Sequence, residues 1–341
     1  MSPEDRFVER LKALLPAAGP DVLVGPGDDA AVLFREAGLL AATTDLLVEE
    51  IDFLPGEDPE RLGRRAAAVN LSDLAAMGAA PEFFLLAIGL PKTRGEEYAL
   101  SVARGAIARG GEFGARLVGG DLSSAPRALV CVALWGRPAG QPLRRSGARP
   151  GDAVFVSGQP GQAAAGLRMA QRIAAFAERG SQPTPRFPEI SAGDQERLLA
   201  AYHDPVPRVA LGLELVRRGL ATAAIDVSDG LGIDAGRLAR ASGVRIVLER
   251  ERLPLSRGLA SFATMEDLDP VDLALSGGDD YELLFTAEAS RAGELPGLAH
   301  DLGLALTRIG RVETGAGASL RDGSIERDVS DLGYDHLEER P

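Results

Sequence analysis

Residues 25–52 read GPGDDAAVLFREAGLLAATTDLLVEEID. Two short apolar runs stand in this stretch, Ala30–Phe34 and Leu39–Thr43, and each suits a buried strand. An acidic knot, Asp28-Asp29, precedes the first run, and another, Thr43-Thr44-Asp45, follows the second. Pairing of the two runs as a hairpin predicts that both knots meet at one sheet edge. Oxygen ligands gathered in this way suit a hard divalent cation such as Mg²⁺, which takes its remaining ligands from water and substrate phosphates. The stretch therefore points to a metal–phosphate site. Taken singly, Gly-Asp-Asp also reads as a turn and Thr-Thr-Asp as a helix N-cap.

Upstream, Phe7, Leu11, Leu14 and Leu15 share one helical face, so residues 3–15 are expected to form an amphipathic helix. Downstream, Asp58-Pro59 starts a helix that ends near Gly78, with proline in the favoured first turn. Asn70, Asp73 and Met77 lie along one stripe of it, and a carboxylate in so apolar a segment needs a partner or a metal. FFLLAIGLP reads as a central strand, 96–113 as a helix, and ARLVGGD and RALVCVALWG as two more strands, the first ending on Gly119-Gly120-Asp121. FFLLAIGLP and ALVCVALWG are apolar enough to be buried on both sides.

Residues 137–151 are dense in Pro, Gly and Arg without periodicity, which sets a domain boundary near residue 140. Beyond it come a strand (DAVFVSG), a helix from QPGQAAAGLRMA, and a loop over 178–195. HDPVPRVALGLELVRRG is a helix introduced by prolines, with His203 a turn residue. A strand in TAAIDVSDGLG, a helix through ARLARASG and a strand VRIVLER follow. DLALSGGDDYELLFTAEA reads as strand–turn–strand, and LALTRIGRVE and SIERDV as closing strands. The order strand, helix, strand, helix in both halves predicts an α/β (α+β) chain of two domains, 1–140 and 141–341.

The 341 residues exceed one core, and apolar content of 45% is ordinary for a globular chain. The net charge of −13 argues against nucleic acid and against anionic membranes as partners. It still permits phosphate ligands if cations intervene. Lys12 and Lys92 are the only lysines, so arginine carries the positive charge. Cys131 is the single cysteine, expected as a small core residue, which excludes an intrachain disulfide or a cysteine metal cluster. Without a signal-peptide pattern or a stretch of membrane-spanning length, the chain is expected in the cytoplasm.

Aspartates recur at the ends of apolar runs and within helices: Asp28-Asp29, Asp45, Asp73, Asp121, Asp226 with Asp229, and Asp279-Asp280. Each alone reads as a turn or a cap; jointly they predict a cation site, because clustered carboxylates near neutral pH need positive charge. The usual nucleotide loops are absent, since the chain holds no Gly-Lys pair and no HRD…DFG set. Gly158-Gln159-Pro160-Gly161 is a short glycine loop before a helix. His203, His300 and His336 are scattered, which disfavours histidine chemistry and zinc, and Ser157 lacks a nucleophile-elbow context.

The segments VGPGDDAAV, TTDLLVEEIDF, NLSDLAAMGAAP, LVGGDLSS, LRRSGARPGD, VSGQPGQAAAGL, HDPVPR, AAIDVSDGL, SGGDDYELLFT and GYDHL occur in that order. This ordered set, spanning about residues 21–337, resembles the thiamine-monophosphate kinases, within the superfamily of aminoimidazole ribonucleotide synthetase and selenophosphate synthetase. Selenophosphate synthetase would be expected to carry a reactive Cys or selenocysteine near the start. The hydrogenase-maturation relative would end in a functional Cys, whereas this chain ends GYDHLEERP.

The resemblance implies direct in-line transfer of the ATP γ-phosphoryl group to thiamine monophosphate, giving thiamine diphosphate and ADP without a phosphoenzyme. It implies several Mg²⁺ ions on Asp28, Thr43, Thr44, Asp45, Asp73, Asp121, Asp226 and Asp229. Gly120, Asp121, Arg145 and Ser228 would contact ATP, and Asp52, Asp279 and Tyr334 would lie near thiamine. Asp73, Asp121 and Asp226 are central to the metal-assisted chemistry. Physical reasoning agrees with the reaction class, since phosphoryl transfer needs positioning and charge neutralisation more than a covalent nucleophile. The resemblance also implies an N-terminal mixed-sheet domain that pairs with its mate as a barrel-like homodimer, and a C-terminal α/β domain completing an active-site cleft. Two positions depart from the family pattern. V-E-G-V-H-F is V-E-E-I-D-F at 48–53, which puts Asp52 where a substrate-contacting His is expected. GGDT is GGDL, so Leu122 offers no hydroxyl, which Ser123 could replace. Competing readings are another ATP-dependent superfamily member, a metal-dependent phosphatase, and a silent nucleotide- or Mg²⁺-binding regulator.

Overall fold

The computed structural model describes residues 10–15, 22–24, 32–33, 38–178 and 187–335. The chain divides into one compact unit of Met1–Leu74 with Ala79–Ala139 and another of Ala75–Gly78 with Gly140–Pro341. Residues 10–14 are helical (α1) and belong to the expected opening helix; the rest of that span, 3–9, lies outside the described residues.

In the first unit β1 (Val22–Val24) pairs antiparallel with β2 (Val32–Leu33). A four-stranded sheet follows, built from β3 (Ala41–Val48), β4 (Ala79–Leu90), β5 (Arg116–Ser124) and β6 (Leu129–Pro138) in the order β3-β6-β4-β5. The β4–β5 pair is parallel and the others are antiparallel. The expected hairpin is therefore not formed. β2 pairs with β1, while β3 runs along β6 from Ala41↔Gly136 to Val48↔Leu129. β6 meets all eight residues of β3 and so satisfies its main-chain groups along that edge. Thr43-Thr44-Asp45 consequently sits inside β3 and does not follow a strand. Gly119-Gly120-Asp121 likewise falls within β5.

Two helices accompany this sheet, α2 (Pro59–Ala76) and α3 (Gly95–Glu112). Asp58 Oδ1 accepts the Arg61 amide at 2.9 Å, so Asp58-Pro59 does open α2, and Gly78 ends the turn beyond it at a φ of 63°. The helices touch backbone to backbone: a Cβ on Gly63 would stand 1.9 Å from the Val102 carbonyl, and one on Gly105 1.8 Å from that of Glu60. Burial along β6 and most of β4 alternates residue by residue, so these strands are covered on one face and not on both. Cys131 lies on the less covered face at intermediate exposure, which corrects its expected place in the core.

The second unit is built on a mixed seven-stranded sheet. Its strands are β7 (Ala153–Ser157), β8 (Ala223–Val227), β9 (Arg245–Glu249), β10 (Glu282–Ala287), β11 (Leu306–Glu313), β12 (Gly317–Asp322) and β13 (Ile325–Asp328). Their order is β13-β12-β9-β11-β7-β10-β8, with β12–β9 the one parallel pair. β7, β8 and β10 are buried along their whole length. The helices are α4 (Gln162–Glu178), α5 (Ala192–His203), α6 (Val209–Arg217), α7 (Leu231–Ser242), α8 (Arg257–Met265), α9 (Pro270–Ser276) and α10 (Leu295–Leu302). One core gathers Val156, Ile225, Leu231, Leu238, Ile246 and Leu284 between the sheet and α7; a second joins α4, α5, α8 and α9 around Met169, Leu198 and Phe262.

Several expectations are corrected here. The first half of DLALSGGDDYELLFTAEA is the helix α9, capped by Asp269 Oδ1 accepting the Val271 amide at 2.9 Å. Within the loop expected over 178–195, α5 begins at Ala192 behind its Ser191 cap, and residues 179–186 lie outside the described residues. His203 is the last residue of α5. Helices α8 and α10 and strand β12 were not anticipated. Among the described residues no helix is long and apolar enough to cross a membrane.

Candidate functional site

In the first unit, strand alternation sorts the Thr-Thr-Asp triplet. The Thr43 hydroxyl donates to Asp73 Oδ2, which joins β3 to the middle of α2. Asp45, two residues on, shares that face. Thr44 points to the opposite face, where its hydroxyl donates to the Val132 carbonyl at 3.0 Å and lies 3.4 Å from Cys131 Sγ. Asp121 is exposed on the edge strand β5, opposite Ala87. The glycine before it has a packing reason, since a Cβ on Gly120 would meet the Leu86 carbonyl at 1.9 Å.

Asp52 closes the turn after β3. Its Oδ2 accepts the Val48 amide, and its own amide donates to the Val48 carbonyl, both at 2.8 Å. Glu50, in the same turn, has a φ of 70°, in the left-handed region where the related pattern carries glycine. Asp28 lies outside the described residues.

In the second unit the C-terminal end of β8 gathers several expected residues. Asp226 is buried within the strand, paired opposite Leu283, and Ser228-Asp229-Gly230 leads into α7. The Ser228 carbonyl accepts the Asp279 amide at 2.7 Å, and the Asp229 carbonyl accepts the Tyr334 amide at 2.8 Å. Asp229, Asp279 and Tyr334 thus meet around one loop. The main chain of Arg145 lies apart from them. Its carbonyl accepts the Ser242 hydroxyl at 2.9 Å, which anchors it at the other end of α7.

The GGDDYEL segment is strained. Asp279 and Tyr281 have φ of 68° and 50°, and a bulky residue at positive φ is an outlier. Such strain persists only where neighbours over-determine it. Here the Tyr281 amide donates to the Val227 carbonyl at 2.8 Å and its hydroxyl to Asp279 Oδ1 at 2.9 Å. The Asp280 carboxylate accepts the Gly161 and Ala163 amides at 2.6 and 3.3 Å, pinning the segment to the first turn of α4. Burial pushes the Asp280 carboxyl well above the usual carboxylate range, against the pull of those amides and with Glu282 and Asp279 adding to the rise. Glu282 follows, accepting from Arg208 Nε at 2.6 Å and from the Ser157 hydroxyl.

Sequence reasoning missed Arg208, Asp234 and Arg237. Asp234 is fully buried and accepts the Ser228 and Asp229 amides, each at 3.1 Å. Burial raises its carboxyl to about 6 against the pull of the Asp229 amide and of Arg237, with the Asp229 charge adding to the rise. Its spacing of three from Arg237 was the available signal.

The donors on these elements are oxygens only, the chemistry a hard cation requires. Asn70 Oδ1, three residues before Asp73 on α2, is buried with no hydrogen-bond partner, although its amide nitrogen donates to the Ala66 carbonyl at 3.0 Å. An orphaned acceptor beside a carboxylate fits a site completed by a cation and its water. Among the described residues no three His, Cys, Asp or Glu side chains converge as a ready-made cage.

Comparison with known proteins adds to this geometry. Residues 27–137 match the model of the AIR synthase related protein, N-terminal domain, and 149–323 that of the AIR synthase related protein, C-terminal domain. The thiamine-monophosphate kinase of Salmonella typhimurium is 37% identical over 323 residues, covering 93% of both chains. A crystal structure of thiamine-monophosphate kinase from Stenotrophomonas maltophilia is 38% identical with a TM-score of 0.79, covering 92% of this chain and 95% of that one. A structure described as AaThiL complexed with AMPPCP and TMP is 31% identical with a TM-score of 0.75, covering 98% and 96%.

Proposed function

The chain belongs to the thiamine-monophosphate kinase family of AIR synthase related proteins, and from that premise we propose that it transfers the γ-phosphoryl group of ATP to thiamine monophosphate, giving thiamine diphosphate and ADP. It is a phosphotransferase whose acceptor is itself a phosphate. The carrying observation is the match at 37% identity over 93% of both chains to a protein named for this reaction. A relative has been crystallised with AMPPCP and TMP, which supports ATP as co-substrate.

Two polyanions have to meet on a chain of net charge −13. Several Mg²⁺ ions, when bound, would neutralise both phosphates and orient them for in-line transfer. The side chains proposed to hold them are Asp28, Thr43, Asp45, Asp73, Asp121, Asp226 and Asp229. Thr44, whose hydroxyl is engaged on the other face of β3, would contribute from its main chain. Gly120, Asp121, Arg145 and Ser228 are proposed to bind ATP, with Arg145 supplying a fixed positive charge. Asp52, Asp279 and Tyr334 are proposed to contact thiamine, the tyrosine by stacking under the cationic ring.

Residues 1–140 would bind nucleotide and metal and form the dimer, and 141–341 would complete the site. The homodimer reading rests on the less covered sheet face, where Leu46 is 52% exposed and Thr44 and Ala42 lie open. Pairing of that face with its mate would give the barrel-like interface, and the enzyme would act in the cytoplasm, where ATP is supplied.

ADP release from ATP and Mg²⁺, with and without thiamine monophosphate, tests the proposal when the product is identified. Thiamine-dependent ADP with an equal yield of thiamine diphosphate is expected. ADP formed without thiamine dependence would move the chain to another substrate, and absence of turnover would overturn the kinase reading.

A further inference from the structure

One arginine and one buried aspartate control the loop between β8 and α7. Asp234 Oδ2 fixes the main chain of Ser228 and Asp229 through their amides. Asp234 Oδ1 accepts Arg237 Nη1 at 2.7 Å, and the same nitrogen donates to Asp229 Oδ2 at 2.5 Å. Asp234 therefore governs Asp229 twice, directly at its backbone and through Arg237 at its carboxylate. Both residues sit on α7, one turn apart, so the relation is carried by a rigid element. The Asp229 carbonyl, tied to the Tyr334 amide, adds a third restraint.

A carboxylate held by one oxygen offers the other to any further partner. We infer that Arg237, anchored by Asp234, is a positioning residue that presents Asp229 as a one-oxygen ligand to a divalent cation. The inference rests on the assignment of Asp229 as a metal ligand made above. Partners behind ligating groups commonly set ligand orientation, and their loss lowers metal affinity about 10- to 100-fold. The opposing expectation is purely electrostatic. If Arg237 acted only as a nearby positive charge, its removal would tighten cation binding and lysine would replace it fully.

Mn²⁺ binding to the full-length protein, followed by calorimetry and by the spin resonance of free Mn²⁺, separates the two. Arg237→Gln and Arg237→Lys are both expected to weaken, by about 10- to 100-fold, the Mn²⁺ sites that Asp229→Asn removes. In the Asp229→Asn background, adding Arg237→Gln is expected to change Mn²⁺ binding no further. A general structural role would instead lower binding in both backgrounds. Arg237→Lys keeps charge and bulk, so it supplies the reading should Arg237→Gln fail to fold. Mn²⁺ bound by either Arg237 variant as tightly as by the parent would overturn the inference while leaving Asp229 a ligand. Unchanged binding by Asp229→Asn would overturn the ligand assignment itself, and the inference with it.

Discussion

Replacing Arg208 with methionine removes one half of an ion pair enclosed by the second unit. Arg208 stands at the N-cap of α6, where a cation opposes the helix dipole and no side-chain cap is made. Its guanidinium reaches instead to β10, donating from Nε and Nη2 to both oxygens of Glu282. The Glu282 side chain is 7% exposed and that of Arg208 22%. Breaking a buried pair from one side costs about 3–5 kcal/mol, because it strands a charge away from water. Arg208 keeps partial contact with solvent, so the low end, about 3 kcal/mol, is expected for Arg208→Met. At ~2–4 °C per kcal/mol for a unit of this size, the melting temperature should fall by roughly 6–12 °C. Glu282→Gln should cost less, since the guanidinium left behind can turn towards water. Urea unfolding near neutral pH, followed by circular dichroism, measures both. The double variant should recover part of the loss. A change below about 1 kcal/mol in Arg208→Met, the value of an exposed pair, would refute the reasoning.

Asp73→Asn should lower kinase turnover by ~100-fold or more while leaving the melting temperature within about 2 °C, because the amide oxygen still accepts the Thr43 hydroxyl but no longer carries the charge that a cation needs. Near-normal turnover would remove Asp73 from the metal site. Asp280 has a carboxyl raised by burial, so between the ordinary value of 3.8 and its higher folded value the unfolded chain gives up a proton that the folded chain keeps. Stability from this group is therefore fullest at low pH and is lost as pH rises through that window. Asp280→Asn should remove this slope, gaining on the parent as pH rises above the ordinary carboxylate value of 3.8 in urea titrations; parallel profiles would refute it. Glu50→Gly should stabilise the first unit by roughly 0.5–1 kcal/mol, as relief of about 1–2 kcal/mol of left-handed strain outweighs the entropy of a new glycine. The exposed Glu50–Arg127 pair at 2.8 Å offsets little of this, and a fall in stability would contradict the strain.

The elements that were legible in the sequence carry their own local signals. α2 opens on Asp58-Pro59 and stops before a glycine, and β4 and β6 carry the apolar runs FFLLAIGL and LVCVALWG. α9 was misread as a strand because a seven-residue segment is too short to show a clear period, yet the Asp269-Pro270 cap before it decides the matter. Pairing was not legible, because it is settled by partners far along the chain. β3 finds β6 across the intervening helices, and nothing within residues 25–52 encodes that choice. Burial in the second unit shows the same limit. Asp234 occupies a helical position with no motif of its own, and only the fold reveals that it grips the loop before it.

The acidic recurrence was legible as a set, but the geometry distributes it differently from the sequence order. Thr43, Thr44 and Asp45 are adjacent in the chain, yet a strand sends neighbours to opposite faces. Thr43 and Asp45 turn together towards α2 and Asp73, while Thr44 is committed to Val132 on the far side. In the second unit the equivalent role falls to a loop, where side chains escape strand alternation. There Ser228, Asp229 and Asp279 converge only because a helix, a glycine at φ of 125° and two strained residues hold the backbone for them. A loop needs this scaffolding, since flexible carboxylates repel one another and would disperse without it. Asp234 supplies it from a fully buried position, and Arg237 and Asp280 from partly buried ones, which is why residues without an evident motif bear on the site as directly as those within one.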